Sequence, residues 1–263
     1  MSATDKEMSV IILGSGTCVP SLRRSSCAVL IKIRNQALLF DSGAGTIRRL
    51  LEAGTKIVDL THIFYSHLHP DHTGELVSLL FATKYSGDPP RRIPLNILAG
   101  KGFLAFYNGL KNVYGEWIEL APALLQIDEL DNTAYDTRRY ADFTVASIPV
   151  EHNSESIAYR ITGPGGESVV YSGDTDFCEN LITLAENADI FICESALPDN
   201  LKSKGHLTPS LAGEIASRAN ARKLVLTHFY PECDGVDIEK ECRKTYGGPL
   251  VLAEDLMEIT LET

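Results

Sequence analysis

Three imidazoles and a carboxylate crowd six consecutive positions of SHLHPDHTGE (66–75): His67, His69, Asp71 and His72, in a chain of 263 residues with only seven histidines. No packing or turn rule asks for so many imidazoles in so short a stretch, whereas histidine nitrogens and aspartate oxygens at this density are metal donors. A catalytic zinc needs three protein ligands and a water, so this set exceeds one ion and implies two adjacent metals. The remaining ligands should come from other strand ends. His152 follows the run DFTVASIPV, Asp174 follows SVVYS, and His228 closes KLVLTH. The count then closes, with His67, His69 and His152 around one ion, Asp71, His72 and His228 around the other, and Asp174 bridging. Taken singly, each of these has an ordinary reading: a strand-end histidine usually caps or faces solvent, and GDT is a common turn. Their combination is what points to metal. His62 lies inside the run THIFYS, ahead of the turn, and is read as structural.

Such a constellation needs strands that end together. Short apolar, β-branched runs predict strands at 9–13, 27–33, 61–66, 95–99, 142–150, 156–162, 168–172, 188–194, 223–228 and 256–261. Helical spacing appears at 46–53, 75–86, 102–115, 178–188, 209–220 and 236–246, with Thr208 before Pro209 as an N-cap and first-turn proline. The metal-rich turn would then run from the strand at 61–66 to a helix beginning at Gly74. Interleaved strands and helices give α/β class, with strands enough for two sheets. No low-complexity linker divides the chain, which is read as one domain over 1–263. The region 85–140, containing SGDPPRRIP and DELDNTAYDTRRY, is the expected place for a lid or inserted loops.

An apolar fraction of 44% supports a substantial core. The formal net charge of −11 disfavours a long polyanion as partner, because nucleic-acid binders usually present basic surfaces. The apolar run near the N-terminus is about five residues, shorter than a signal-peptide core of about 7 to 15, and no run approaches the roughly 18 of a membrane span. A soluble cytoplasmic protein with no membrane role is expected. The six cysteines (18, 27, 178, 193, 233 and 242) show no CxxC pairing and read as reduced and structural.

Taken in order, the motifs resemble the metallo-β-lactamase superfamily, and within it the ribonuclease Z and cyclic-phosphodiesterase branch. ILGSGTCVP is similar to that branch's N-terminal glycine loop, LLFDSGAGT with Asp41 to its first motif, HLHPDHTG to its second, His152 to its third, YSGDTD to its fourth and LTHFYP to its fifth. The resemblance implies a four-layer αβ/βα sandwich, two mixed β-sheets face to face with helices outside and metals at one edge. It also implies that His206 in KGHLTPSLAGEIA is an extra catalytic group, and that Glu194 in ICESA orients it. Relatives in this branch are often dimers, so a homodimer is expected. Three departures separate the chain from ribonuclease Z: only 21 residues lie between His152 and Asp174, leaving no room for a substrate arm; the loop 20–25 reads PSLRRS; and Ala44 stands where an acidic residue is common.

The chemistry implied is hydrolysis. Two divalent ions about 3.5 to 4 Å apart would share a water, lower its pKa toward about 7 and present a bridging hydroxide, with Asp71 orienting it and His206 protonating the departing oxygen. The expected substrate is a small or cyclic phosphodiester, with Arg23 or Arg24 as a phosphate clamp. The alternatives are a tRNA 3′ endonuclease of the ribonuclease Z type, a thioester, lactone, sulfate-ester or β-lactam hydrolase, and a metal-stabilised scaffold. Histidine-rich ligation suits Zn2+, with Mn2+ or Fe2+ as other occupants, and His69 stands where iron-dependent oxidoreductase relatives carry a glutamate. No organic cofactor is expected.

Overall fold

A computed structural model describes residues 8–87 and 89–261; the first seven residues, which precede the N-terminal apolar run, lie outside it. Strands β1 (Met8–Gly14), β2 (Ala28–Ile33), β3 (Gln36–Phe40), β4 (His62–Tyr65), β5 (Leu95–Gly100) and β6 (Leu125–Leu130) build one sheet in order, completed by the last strand, β14 (Met257–Thr260), beside β1. The second sheet holds β7 (Asp136–Arg139), β8 (Thr144–Pro149), β9 (Ile157–Thr162), β10 (Ser168–Tyr171), β11 (Ile190–Glu194), β12 (Leu224–Thr227) and β13 (Leu250–Leu252). Each seven-stranded sheet is half antiparallel and half parallel. The parallel halves matter for function, because parallel strands deliver their C-terminal ends to one edge, where open α/β sheets place their sites.

The central strands are apolar without alternation because both faces are covered. On β2, Val29 and Ile31 face a core shared with the other sheet while Leu30 faces the outer helices; on β4, Phe64 points inward while Ile63 and Tyr65 point out. Across the sheets, the Phe40 ring meets Tyr159 and Tyr171 edge-on with centroids at 5.8 and 5.7 Å. Helices α1 (Thr46–Glu52), α3 (Leu76–Lys84) and α4 (Phe103–Tyr114) cover the first sheet through Leu50, Leu79, Leu80 and Phe103. Helices α5 (Glu179–Leu184) and α6 (Pro209–Arg218) cover the second through Leu181, Ala212 and Ile215, followed by the short α7 (Ile238–Cys242). This is the four-layer αβ/βα sandwich. Thr208 is the N-cap of α6 with Pro209 behind it.

Several expectations need correction. The region 85–140 is neither lid nor insertion: β5, α4 and β6 extend the first sheet, and β7 opens the second. Strands β6 and β7 escape a hydrophobic pattern because they are sheet edges, and edge strands carry charge that blocks further pairing. The helix expected from Gly74 is preceded by a one-turn helix α2 (Pro70–Thr73), with Gly74 as its C-cap. The final expected helix shortens to α7, ending at Cys242. Among the described residues, no helix is long and apolar enough to cross a membrane, and all six cysteines are free.

Candidate metal centre

Five parallel strand ends and one tight turn assemble the centre. Asp41 follows β3, His67 follows β4, Glu194 ends β11 and His228 follows β12, while Asp174 lies just past β10. Proline at the first helical position lets α2 start immediately after His69, and its single turn brings Asp71 and His72 back toward His67. Gly43 permits this: a Cβ there would stand 2.0 Å from the Asp71 carbonyl oxygen. Glu75, just past the turn, accepts from the Gly45 and Ile47 backbone N–H groups and so caps α1 while fixing the turn against it.

The seven side chains from four separate segments converge. His67, His69, His152 and Asp174 offer donor atoms within 4.8 Å of one another, and so do Asp71, His72 and His228. Asp174 lies between the groups with its oxygens divided. Its Oδ2 is 3.7 Å from His67 Nε2 and 3.9 Å from His152 Nε2, whereas Oδ1 is 3.2 Å from His72 Nε2 and 3.3 Å from His228 Nε2. The remaining imidazole nitrogens set the tautomers. His72 Nδ1 donates to Asp41 Oδ2 (2.7 Å) and His152 Nδ1 donates to the Gly205 carbonyl (2.8 Å), leaving each Nε2 with an inward lone pair. Ser66 Oγ spends its proton on Asp41 Oδ2, so His67 Nδ1 donates to Ser66 and its Nε2 also faces in. His69 turns Nδ1 toward His152 Nε2 (3.2 Å) and Nε2 toward the Asn153 amide (3.1 Å).

These residues fit divalent-metal binding. Buried polar atoms are normally paired, yet among the described residues His67 Nε2, His72 Nε2, His228 Nε2 and Asp174 Oδ1 have no hydrogen-bond partner while pointing at one another. Charge leads to the same conclusion. Burial works against ionisation of Asp174, but the His228 and His72 imidazoles hold its carboxyl well below the usual range. Burial also disfavours a charged His72, yet Asp174 and Asp41 raise it well above an ordinary histidine. Carboxylates this deep call for positive charge between them. His67 is pushed well down by burial and by neighbouring His72 and so stays neutral, whereas a metal ion would have to displace the proton that Asp174 and Asp41 favour on His72.

A family model described as the beta-lactamase superfamily domain matches residues 37–229. The chain belongs to that superfamily. Among its relatives, an uncharacterised protein of Mycobacterium leprae is 30% identical over 92% of this chain and 84% of its own length. A ribonuclease Z of Methanosarcina mazei is 27% identical, covering 95% of this chain and 97% of its own. Among solved structures, the metallo-beta-lactamase fold protein YhfI of Bacillus subtilis superposes with a TM-score of 0.81 at 23% identity, covering 96% of this chain and 98% of that one, which shows the fold.

Beside this superfamily centre stands a sixth imidazole. His206 lies 3.9 Å from Asp174 Oδ2 by its Nδ1, which also donates to Glu194 Oε1 at 3.0 Å, and its ring stacks near that of His228 with centroids at 5.7 Å. Glu194 is fully buried and accepts from the Thr175, Ala196 and Leu207 backbone N–H groups as well. Burial opposes protonation of His206, but Glu194 outweighs it and raises the imidazole to about 9. His62, in contrast, sits within β4 against Phe64, Tyr140 and Phe143, away from the centre, and burial lowers it to about 4. The loop arginines are engaged elsewhere: Arg24 pairs with Asp234 at 2.6 Å and lies over the Phe229 ring, and Arg23 reaches Asp234 and Glu254. Neither is a ready phosphate clamp. Sequence reasoning misses Tyr171, whose hydroxyl donates to Asp41 at 2.6 Å, and Tyr230, whose ring stands edge-on to both His206 and His228. Tyr171, in the apolar run SVVYS at the head of YSGDTD, and Tyr230, two residues past His228 in LTHFYP, are marked in the sequence only by lying in these motifs.

Proposed function

We propose that this protein hydrolyses a small or cyclic phosphodiester with two divalent ions, His67, His69 and His152 holding one, Asp71, His72 and His228 the other, and Asp174 shared. The observation that carries this reading is the division of the Asp174 carboxylate, one oxygen facing each histidine group. Nitrogen-rich ligation favours Zn2+, with Mn2+ or Fe2+ as substitutes. When bound, such a pair supplies Lewis acidity at phosphorus and a water made reactive near neutral pH.

The chain's own groups do the rest. Asp71, with Oδ2 3.7 Å from His228 Nε2, accepts a hydrogen bond from the attacking water and turns its lone pair toward phosphorus. Glu194 accepts from His206 Nδ1 and raises the imidazole to about 9, which favours the form that would stabilise charge on a nonbridging oxygen or deliver a proton to the departing one. General acid help of this kind is typically about 10²- to 10⁴-fold. The similarity of KGHLTPSLAGEIA to the ribonuclease Z and cyclic-phosphodiesterase motif favours phosphodiesters over thioesters, lactones, sulfate esters and lactams. Six free cysteines, four of them buried, suit a reducing compartment such as the cytoplasm.

The second reading is tRNA 3′ processing, favoured by the ribonuclease Z of Methanosarcina mazei that aligns along almost its whole length. Against it stand the net charge of −11 and the segment between His152 and Asp174, which is a plain β9–β10 hairpin with its turn near Gly163–Glu167. Side-by-side turnover of bis-p-nitrophenyl phosphate, cyclic nucleotides, a thioester and precursor tRNA by zinc-loaded protein decides between them. Cleavage of the small phosphodiesters is expected. Turnover of precursor tRNA alone would transfer the protein to the second reading, and elemental analysis without stoichiometric metal would remove both.

A further inference from the structure

The Asp174-Thr175-Asp176 segment ties together three loops that the proposed reaction must keep in register. Thr175 N–H donates to Glu194 Oε1 (2.8 Å), and its hydroxyl accepts from the Glu151 N–H (3.2 Å). Asp176 N–H donates to the Glu151 carbonyl (2.7 Å), beside His152. The Asp176 carboxylate accepts from the Gly205 N–H (2.9 Å) and from Lys202 Nζ (3.0 Å). Gly205 in turn takes the His152 Nδ1 proton on its carbonyl and precedes His206. Its backbone needs the freedom of glycine, with φ +83° and a Cβ position only 3.1 Å from His152 Nδ1. One exposed-side carboxylate therefore holds the peptide that orients a metal-facing imidazole on one side and carries the acid imidazole on the other.

Resting on the function proposed above, we infer that Asp176 is a positioning residue that sets His152 and His206 together through the Gly205 peptide. Its Gly205 hydrogen bond does the positioning, and the Lys202 pair, on a partly exposed lysine, adds little. Losing a group that orients a metal-bound histidine typically costs about 10- to 100-fold in metal affinity. The same loss should lower kcat through His206 while leaving KM close to wild type, since Asp176 does not touch substrate.

The test is zinc affinity by chelator competition, with amide exchange across 203–207 in both metal-free and zinc-loaded protein. Asp176→Ala is expected to weaken one of two zinc sites by about tenfold or more and to speed exchange at Gly205 and His206. Asp176→Asn, which keeps an acceptor for Gly205, and Lys202→Ala should both stay within about threefold. If Asp176→Ala does not fold, Asp176→Thr fills similar space with a hydroxyl too short to reach Gly205 and is read the same way. Unchanged exchange in the metal-free alanine or threonine variant overturns the inference, as does an Asp176→Asn variant as impaired as alanine. Wild-type protein that binds no zinc would defeat the functional proposal instead, while the exchange difference in metal-free protein would still stand or fall separately.

Discussion

Each sheet contributes one buried carboxylate that grips one imidazole by Nδ1: Asp41 holds His72 at 2.7 Å on the first sheet, and Glu194 holds His206 at 3.0 Å on the second. The two pairs look alike and sit differently. Asp41 and His72 are wholly buried, and Asp41 accepts three further bonds, from the Ser66 N–H, the Ser66 hydroxyl and the Tyr171 hydroxyl. Glu194 is as buried and as well satisfied by backbone donors, but its histidine is partly exposed. In the proposed reaction the same carboxylate–imidazole unit makes a fixed ligand where it is enclosed and a proton donor where it meets substrate. Depth, more than partner chemistry, separates the two roles.

The largest effect is expected at Asp174, which faces both histidine groups. Asp174→Ala should reduce metal content from two ions toward one or none and depress activity by more than about a hundredfold, beyond what losing a supporting partner costs. Two tightly held ions in that variant, by elemental analysis, would contradict the bridging arrangement. A smaller change separates the roles. His206→Ala is expected to lower kcat by about 10²- to 10⁴-fold with both ions retained. Metal loss in His206→Ala would make His206 a ligand and erase the distinction between the pairs. On the other sheet, Asp41→Asn should do the reverse, weakening metal binding by about 10- to 100-fold and restoring activity when zinc is raised. Zinc titration of turnover reads this directly, and a kcat defect that zinc cannot repair would count against it.

The parts of this arrangement legible in the sequence share one property: they are dense in chemistry at strand ends. His67 through His72, His152, Asp174 and His228 announce themselves because apolar strands stop abruptly at polar, metal-ligating types. What stays hidden acts through backbone. Asp176 bonds the Gly205 peptide, and Gly205 offers only a carbonyl to His152, so neither residue type hints at the contact. The turn expected between the strand at 61–66 and a helix beginning at Gly74 also misses α2, because a four-residue helix begun by proline leaves no periodicity to detect. Strand β3 shows in the sequence only as part of the motif LLFDSGAGT, and β13, with three residues, is too short to carry a pattern. The paired parallel strands that put Asp41 and Glu194 at one edge follow from sheet order, which no local spacing encodes.

His62 supplies the quiet control, a buried imidazole with no carboxylate. Its Nδ1 contacts the Thr61 hydroxyl at 3.0 Å, its Nε2 has no partner among the described residues, and aromatic rings surround it. Burial lowers it from 6.5 to about 4, so between those values the unfolded chain binds the proton and the folded one does not. Stability from this group is therefore fully present above about pH 6.5 and is lost as pH falls toward 4, by at most about 3 kcal/mol. His62→Phe keeps the ring and removes the titration. Urea unfolding of metal-free protein should show a shallower decline from pH 6.5 to 4.5 in the variant than in wild type, with metal affinity unaltered. Equal slopes would mean that His62 is protonated in the folded chain, and that a histidine here can carry charge without the carboxylate that distinguishes His72 and His206.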